Sequence, residues 1–224
     1  MSRTALVAGA SGLVGGHLLR SLLADAAYTR VVMLGRRQIE TRHPKLEQRV
    51  VDFGALDAVT DVAADDAFCC LGTTIKTAGS QEAFRKVDHD YVLAFARAGR
   101  RAGAAQFLLV TALGADPTSR IFYSSVKGEV EAAVRQLPYR GVQIFRPSFL
   151  MGHRAEGRLA ERIALPIARA VAPLLIGPLR RYRPIDAADV ARAMLQIAKE
   201  APRGPNVFEY DGIIAAARSS ARSS

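Results

Sequence analysis

Thr4-Ala-Leu-Val-Ala8, followed at once by Gly9-Ala10-Ser11-Gly12-Leu13-Val14-Gly15, decides how this chain is read. An apolar, β-prone run turns through three glycines into a helical pattern near Val14 to Ala26. Such a turn leaves the first amide N–H groups of the helix unpaired and directed at whatever anion lies before them. Gly9 permits the tight turn, Gly12 lets the backbone approach a pyrophosphate, and Gly15 lets helix pack against strand. The spacing is G-x-x-G-x-x-G rather than G-x-G-x-x-G, so its weight comes from its place between strand and helix.

Working outward, apolar runs recur at Ala5 to Ala8, Val31 to Leu34, Arg49 to Val51, Ala67 to Leu71, Phe107 to Thr111 and Val142 to Phe145. Most are continuous rather than alternating, as expected of parallel strands covered on both faces. Helical patterns fall between them near Gln81 to Arg101 and Phe122 to Leu137. The alternation predicts an α/β fold, a doubly wound parallel sheet of the Rossmann type. After Phe145 the pattern loosens, then resumes as a helix from Ala187 to Lys199 and a short strand near Val207 to Tyr210. We expect one domain over 1–212, with residues 152–183 as a small substrate-covering segment inside it. Residues 213–224 read as a flexible tail ending in Arg-Ser-Ser-Ala-Arg-Ser-Ser.

Composition narrows the classes. The 224 residues are half hydrophobic and carry a formal net charge of +10. The excess arginines are scattered, with no lysine run or aromatic-interleaved basic strand, so nucleic acid is not expected as a partner. The longest apolar stretch, Leu159 to Gly177, is interrupted by Glu161, Arg162, Arg169 and two prolines and makes a poor bilayer span. The amino terminus reads without a signal peptide, which gives a cytoplasmic expectation. Cys69 and Cys70 are adjacent and point to opposite faces of a strand, so they are expected as two reduced, buried thiols, and no metal site is expected.

Three further motifs carry chemistry. At the end of the second strand, where an enzyme using the unphosphorylated cofactor places a carboxylate for the ribose hydroxyl, stands Gly35-Arg36-Arg37. Two guanidinium groups suit a 2′-phosphate, which points to NADPH/NADP. Asp52, placed at the end of the third strand, is positioned to accept from an adenine amino group or to form an ordinary turn. Leu71-Gly72-Thr73-Thr74 follows the fourth strand into the ligand crevice, with Gly72 admitting the cofactor and Thr74 equally readable as a tight-turn residue. Tyr123 and Lys127 lie four apart on one helix face. A free tyrosine ionises about three units above neutral pH, a gap of roughly 4 kcal/mol that an ammonium and an oxidised nicotinamide reduce. Thr111, at the end of the preceding strand, offers a hydroxyl to polarise a substrate carbonyl.

These residues resemble the short-chain dehydrogenase/reductase superfamily, and within it the atypical Tat-interacting-protein-like branch. The likeness runs through Gly35-Arg-Arg37, Val51-Asp-Phe53, Phe68-Cys-Cys-Leu-Gly-Thr-Thr74, Val87-Asp-His-Asp-Tyr-Val92, Lys127-Gly-Glu-Val-Glu131 and Phe145-Arg-Pro147, covering residues 4 to about 150. It implies an NADPH-binding Rossmann fold with phosphates near Ser11 to Val14, the 2′-phosphate at Arg36 and Arg37, and cofactor contacts at Leu71 and Gly72. It also implies Tyr123 as proton donor, Lys127 as orienter, Pro147 to Leu150 beside the nicotinamide amide, and Arg158 reaching the cofactor from the next loop. Two departures stand out: Thr111 replaces a serine common in relatives, and the superfamily's helix asparagine is replaced around Asp88. The branch also includes regulatory, protein-binding members.

The reading is an NADPH-dependent oxidoreductase acting on a small-molecule carbonyl or alcohol. The arginines of 152–183, among them Arg154, Arg158, Arg162 and Arg169, suggest an anionic or amphipathic substrate. A cofactor-sensing regulatory protein with a protein partner or a homo-oligomeric form is the alternative. A sugar-nucleotide epimerase or dehydratase is the second, disfavoured by the roughly 70 residues left after Pro147 for a substrate domain.

Overall fold

The computed structural model describes residues 2–58, 61–151 and 175–220. In chain order the strands are β1 (Arg3–Ala8), β2 (Tyr28–Gly35), β3 (Leu46–Val50), β4 (Asp66–Cys69), β5 (Gln106–Val110), β6 (Gly141–Phe145), β7 (Leu150–Met151), β8 (Ile185–Asp186) and β9 (Gly204–Phe208). Seven of them form one sheet in the order β3-β2-β1-β4-β5-β6-β9, paired parallel throughout, while β7 and β8 form a separate parallel pair. The helices are α1 (Leu13–Ala24), α2 (Ile75–Ala78), α3 (Gln81–Arg85), α4 (Tyr91–Arg101), α5 (Phe122–Arg135), α6 (Ala187–Glu200) and α7 (Tyr210–Ser220). Strand order reverses between β1 and β4, and the carboxyl edge at that reversal is where doubly wound sheets open a ligand crevice.

The continuous apolar strands have the cause expected of them. Along β1, Ala5 and Val7 pack with Leu18, Leu22, Val190, Met194 and Ile213 of α1, α6 and α7. Leu6 and Ala8 point the other way, into a second core with Phe53, Phe95 and Val130. β4, β5, β6 and β1 from Ala5 onward are buried on both faces, so their apolar runs are continuous, whereas the edge strands β3 and β9 carry half-buried and exposed residues.

Three local expectations differ. The third strand ends at Val50, one residue before the expected end. The single helix expected over Gln81 to Arg101 is α3 and α4 joined by a π turn at Lys86–Asp90. That wider turn leaves the apolar periodicity almost untouched, so the pattern gave no sign of it. The tail expected to be flexible from residue 213 is instead mostly α7, because Ile213, Ala216 and Ala217 bury one face against the sheet's first core.

Asp66 stitches the opposite, amino-terminal edge. It is fully buried at the start of β4 and accepts from Arg3 Nη2 of β1 at 2.8 Å and Tyr28 Oη of β2 at 2.7 Å. Burial pushes its carboxyl up to about 6, against the pull of the Arg3 guanidinium. The folded carboxyl therefore holds its proton to higher pH than the unfolded one. Its contribution favours the fold below about pH 4 and is lost as pH rises through about 6. The stability of wild type minus that of Asp66→Asn should fall by about 3 kcal/mol between about pH 4 and about pH 7, read by urea unfolding. A difference that grows with pH would mean that the Arg3 ion pair outweighs burial.

Candidate functional site

The glycine turn is held by contacts that leave no room for side chains. Gly9 has φ +83°, and a Cβ there would lie 2.4 Å from the carbonyl carbon and oxygen of Cys70, just past β4. A Cβ on Gly15 would lie 2.1 Å from the Gly9 carbonyl oxygen. The Gly12 N–H donates to that oxygen at 2.9 Å and closes the turn. Gly12 caps α1 without any side-chain hydrogen bond, and the first turn of the helix holds no acidic residue. Its amides thus face the crevice with no internal acceptor, which fits the donor set a pyrophosphate needs. Ser11 and Gly12 are exposed, Leu13 is half-buried, and Val14 sits in the core, where only its backbone can serve a ligand.

Along the crevice, Arg36 and Arg37 are exposed just beyond β2 and make no ion pair among the described residues. Asp52 lies two residues past the end of β3, and its Oδ1 accepts the Gly54 N–H at 2.8 Å. It is a turn former here, with its other oxygen open to solvent. Leu71 packs against the second core while Gly72 is exposed beside it. Thr74 accepts the Thr77 N–H at 3.0 Å and caps α2, the plainer of its two expected roles.

On α5, Tyr123, Lys127 and Glu131 recur every fourth residue and so share one face. Tyr123, in the first turn, packs its ring on Phe84 with centroids 5.4 Å apart and lines a cavity of about 560 Å³. Ala112 and Leu113 beyond β5, Pro147, Ser148 and Phe149 beyond β6, and Tyr182 complete its less polar wall, while Arg146, Arg181 and Glu209 bring charge to it. Ser148 donates its hydroxyl to the Arg183 carbonyl.

Lys127 is 5% exposed, and its Nζ lies 2.7 Å from Asp88 Oδ1. The Thr73 N–H donates to the other Asp88 oxygen at 2.9 Å. Burial pushes the Asp88 carboxyl up, and Lys127 pulls it back. A Cβ on Gly72 would stand 3.4 Å from Asp88 Oδ1 and 3.7 Å from Lys127 Nζ, so the pair lies directly beneath that glycine.

Thr111 differs from its expected place. Its hydroxyl donates to the buried Glu131 at 2.7 Å, and the residue of this strand end that lines the cavity is Ala112. Glu131 also takes Arg146 at 2.6 Å and Arg135 at 3.0 Å, so Thr111 belongs to a buried clamp joining α5 to the ends of β5 and β6. The four-residue repeat from Tyr123 could have singled out Glu131, and Arg181 falls in the segment expected to cover the substrate; nothing in the sequence marked Arg146 or Glu209 as cavity residues. Leu150 begins β7 and packs against the first core, next to the cavity-lining Phe149. Arg154, Arg158, Arg162 and Arg169 lie outside the described residues; of the expected covering segment, Arg181 and Tyr182 reach the cavity and Arg180 pairs with Asp211.

The cysteines are free; burial pushes Cys69 up to about 12 and Cys70 up as well, so neither is poised as a thiolate. No cluster of metal-ligating side chains occurs among the described residues.

The model of the NAD dependent epimerase/dehydratase family matches residues 5–210. The chain belongs to this family. Among its relatives, protein HTATIP2 of Rattus norvegicus is 38% identical over 168 residues, 73% of this chain and 69% of that protein. The mitochondrial protein FMP52 of Coccidioides immitis is 33% identical over 218 residues, 91% and 88% of the two. Human epimerase family protein SDR39U1, solved with NADPH, superposes with TM-score 0.64 at 18% identity over 92% of this chain and 74% of that one. The UDP-glucose 4-epimerase of Thermotoga maritima, solved with UDP-glucose, gives TM-score 0.68 at 14% identity over 98% and 82%. This family member is thus an NAD(P)-binding Rossmann protein of an atypical short-chain dehydrogenase/reductase branch. The cytoplasmic expectation is corrected: the fungal relatives are named mitochondrial. No helix among the described residues is long and apolar enough to cross a membrane.

Proposed function

We propose that the protein is an NADPH-dependent oxidoreductase that reduces a carbonyl, or oxidises the matching alcohol. The observation that carries this is Tyr123, on the wall of the 560 Å³ cavity and one helical turn from Lys127, which lies under Gly72 in the dinucleotide crevice. NADPH in that crevice supplies the hydride. The amides that open α1 bind the pyrophosphate, and Arg36 and Arg37 receive the 2′-phosphate that distinguishes NADPH from NADH. Lys127 holds ribose hydroxyls and orients the phenol, and Tyr123 donates its proton to the carbonyl oxygen. Thr111 has no part in this scheme, since its hydroxyl is committed to Glu131. The apolar wall with Arg181 at its rim suits an amphipathic substrate, with the anionic end at the guanidinium.

The second reading is the epimerase or dehydratase chemistry of the family's name, which the match over residues 5–210 favours. There the same Tyr–Lys pair would serve a hydride that returns to the substrate. Net consumption of NADPH separates the two.

Wild-type protein should bind NADPH more tightly than NADH, since each charge-assisted phosphate contact contributes about 1.5–3 kcal/mol. Arg36→Ala/Arg37→Ala should weaken NADPH selectively in fluorescence titrations; equal wild-type affinities for the two cofactors would contradict the 2′-phosphate assignment. Tyr123→Phe keeps the ring on Phe84 and should leave NADPH affinity nearly intact while kcat drops by about 10² to 10⁴. Wild-type turnover by that variant would remove Tyr123 from the chemistry.

A further inference from the structure

Where the superfamily resemblance leads one to look for a helix asparagine, this chain has Asp88, and its surroundings call for a carboxylate. Asp88 is fully buried: its Oδ2 accepts the Thr73 N–H at 2.9 Å, and its Oδ1, which takes part in no well-aligned hydrogen bond among the described residues, faces the Lys127 ammonium at 2.7 Å as an ion pair. An asparagine has one acceptor oxygen and an NH₂, so it would turn a donor toward one of these donors. The π turn at Lys86–Asp90, which breaks the helix between α3 and α4, holds Asp88 at this spot.

We propose that Asp88 is the positioning residue of this site, anchoring Lys127 under Gly72 and cancelling its charge where the Tyr123 phenol responds to it. The inference rests on the oxidoreductase reading above. Whichever partner holds the shared proton, the Asp88–Lys127 pair carries no net charge. Replacing Asp88 by asparagine leaves one uncompensated positive charge one helical turn from Tyr123, and a neighbouring positive charge favours loss of the phenol proton. The other charged or ionisable groups on the Tyr123 cavity are Arg146, Arg181, Tyr182 and Glu209, and Cys69 faces the buried pair as a thiol. All of them are the same in wild type and variant, so a difference between the two reports Asp88.

The test compares wild type and D88N in NADP⁺-linked alcohol oxidation across pH, with NADPH affinity measured alongside. The expected result is a rising limb of kcat moved to lower pH by about one unit, with NADPH affinity changed less than about tenfold. An unmoved limb, or one moved to higher pH, overturns the proposal. Thermal unfolding of D88N, K127M and D88N/K127M tests the anchoring without any turnover. Each single variant leaves a buried charge alone and should lower Tm by about 10 °C, while the double variant should recover at least half of the summed loss. Additive losses overturn the anchoring. A D88N chain that does not fold, rescued by D88N/K127M, supports it. A wild type that turns over no carbonyl or alcohol defeats the oxidoreductase reading and leaves the unfolding cycle to decide the role of Asp88.

Discussion

The contact on which this molecule depends is the backbone of Gly9 lying against the end of β4. With φ +83° and only 2.4 Å between a hypothetical Cβ and the Cys70 carbonyl, the position admits no other residue without moving backbone. The contact sets where β1 stops and α1 starts. Gly15, pressed on the Gly9 carbonyl oxygen, then fixes how α1 leaves the sheet. Because strand order reverses between β1 and β4, the open amides of α1 look into the one crevice that the topology provides.

A second organising element is the inward face of α5. Tyr123 borders the cavity, Lys127 is tied to Asp88 toward α4, and Glu131 is tied to Arg146 toward β6. Two buried ion pairs thus anchor the helix on both sides of the crevice. Such pairs are weak sources of net stability, because desolvation cancels much of their attraction, but breaking either leaves a lone buried charge. Their effect is to restrict how the helix that carries the phenol can sit.

The fold was legible because the central strands are covered twice. Runs such as Ala5 to Ala8 are apolar at every position, and the glycine turn marks the junction of strand and helix. The glycine turn and the arginine pair were legible because they adjoin the elements that place them: Gly9, Gly12 and Gly15 stand where β1 passes into α1, and Arg36 and Arg37 just beyond β2. The cavity beside Tyr123 was less so. Its wall is assembled from the ends of β5, β6 and β9 and from Arg181 and Tyr182, which no local pattern brings together. Thr111 was misplaced because strand alternation does not say which of two adjacent strand-end residues faces the cavity, and Glu131 captures its hydroxyl. The tail was misread because its closing Arg and Ser residues outweighed Ile213, Ala216 and Ala217, which supply just enough apolar surface to seat α7.

Oxidoreductase, epimerase and cofactor sensor differ in the fate of one hydride. NADPH deuterated at the transferable C4 position, incubated with the protein and a panel of aldehydes and ketones, resolves it by mass spectrometry of the products. Deuterium carried onto the carbon of a product alcohol, with one NADP⁺ formed per alcohol, is the expected result. Retention of all deuterium in the cofactor across the panel, with NADPH bound but not consumed, would contradict an oxidoreductase built on Tyr123 and Lys127.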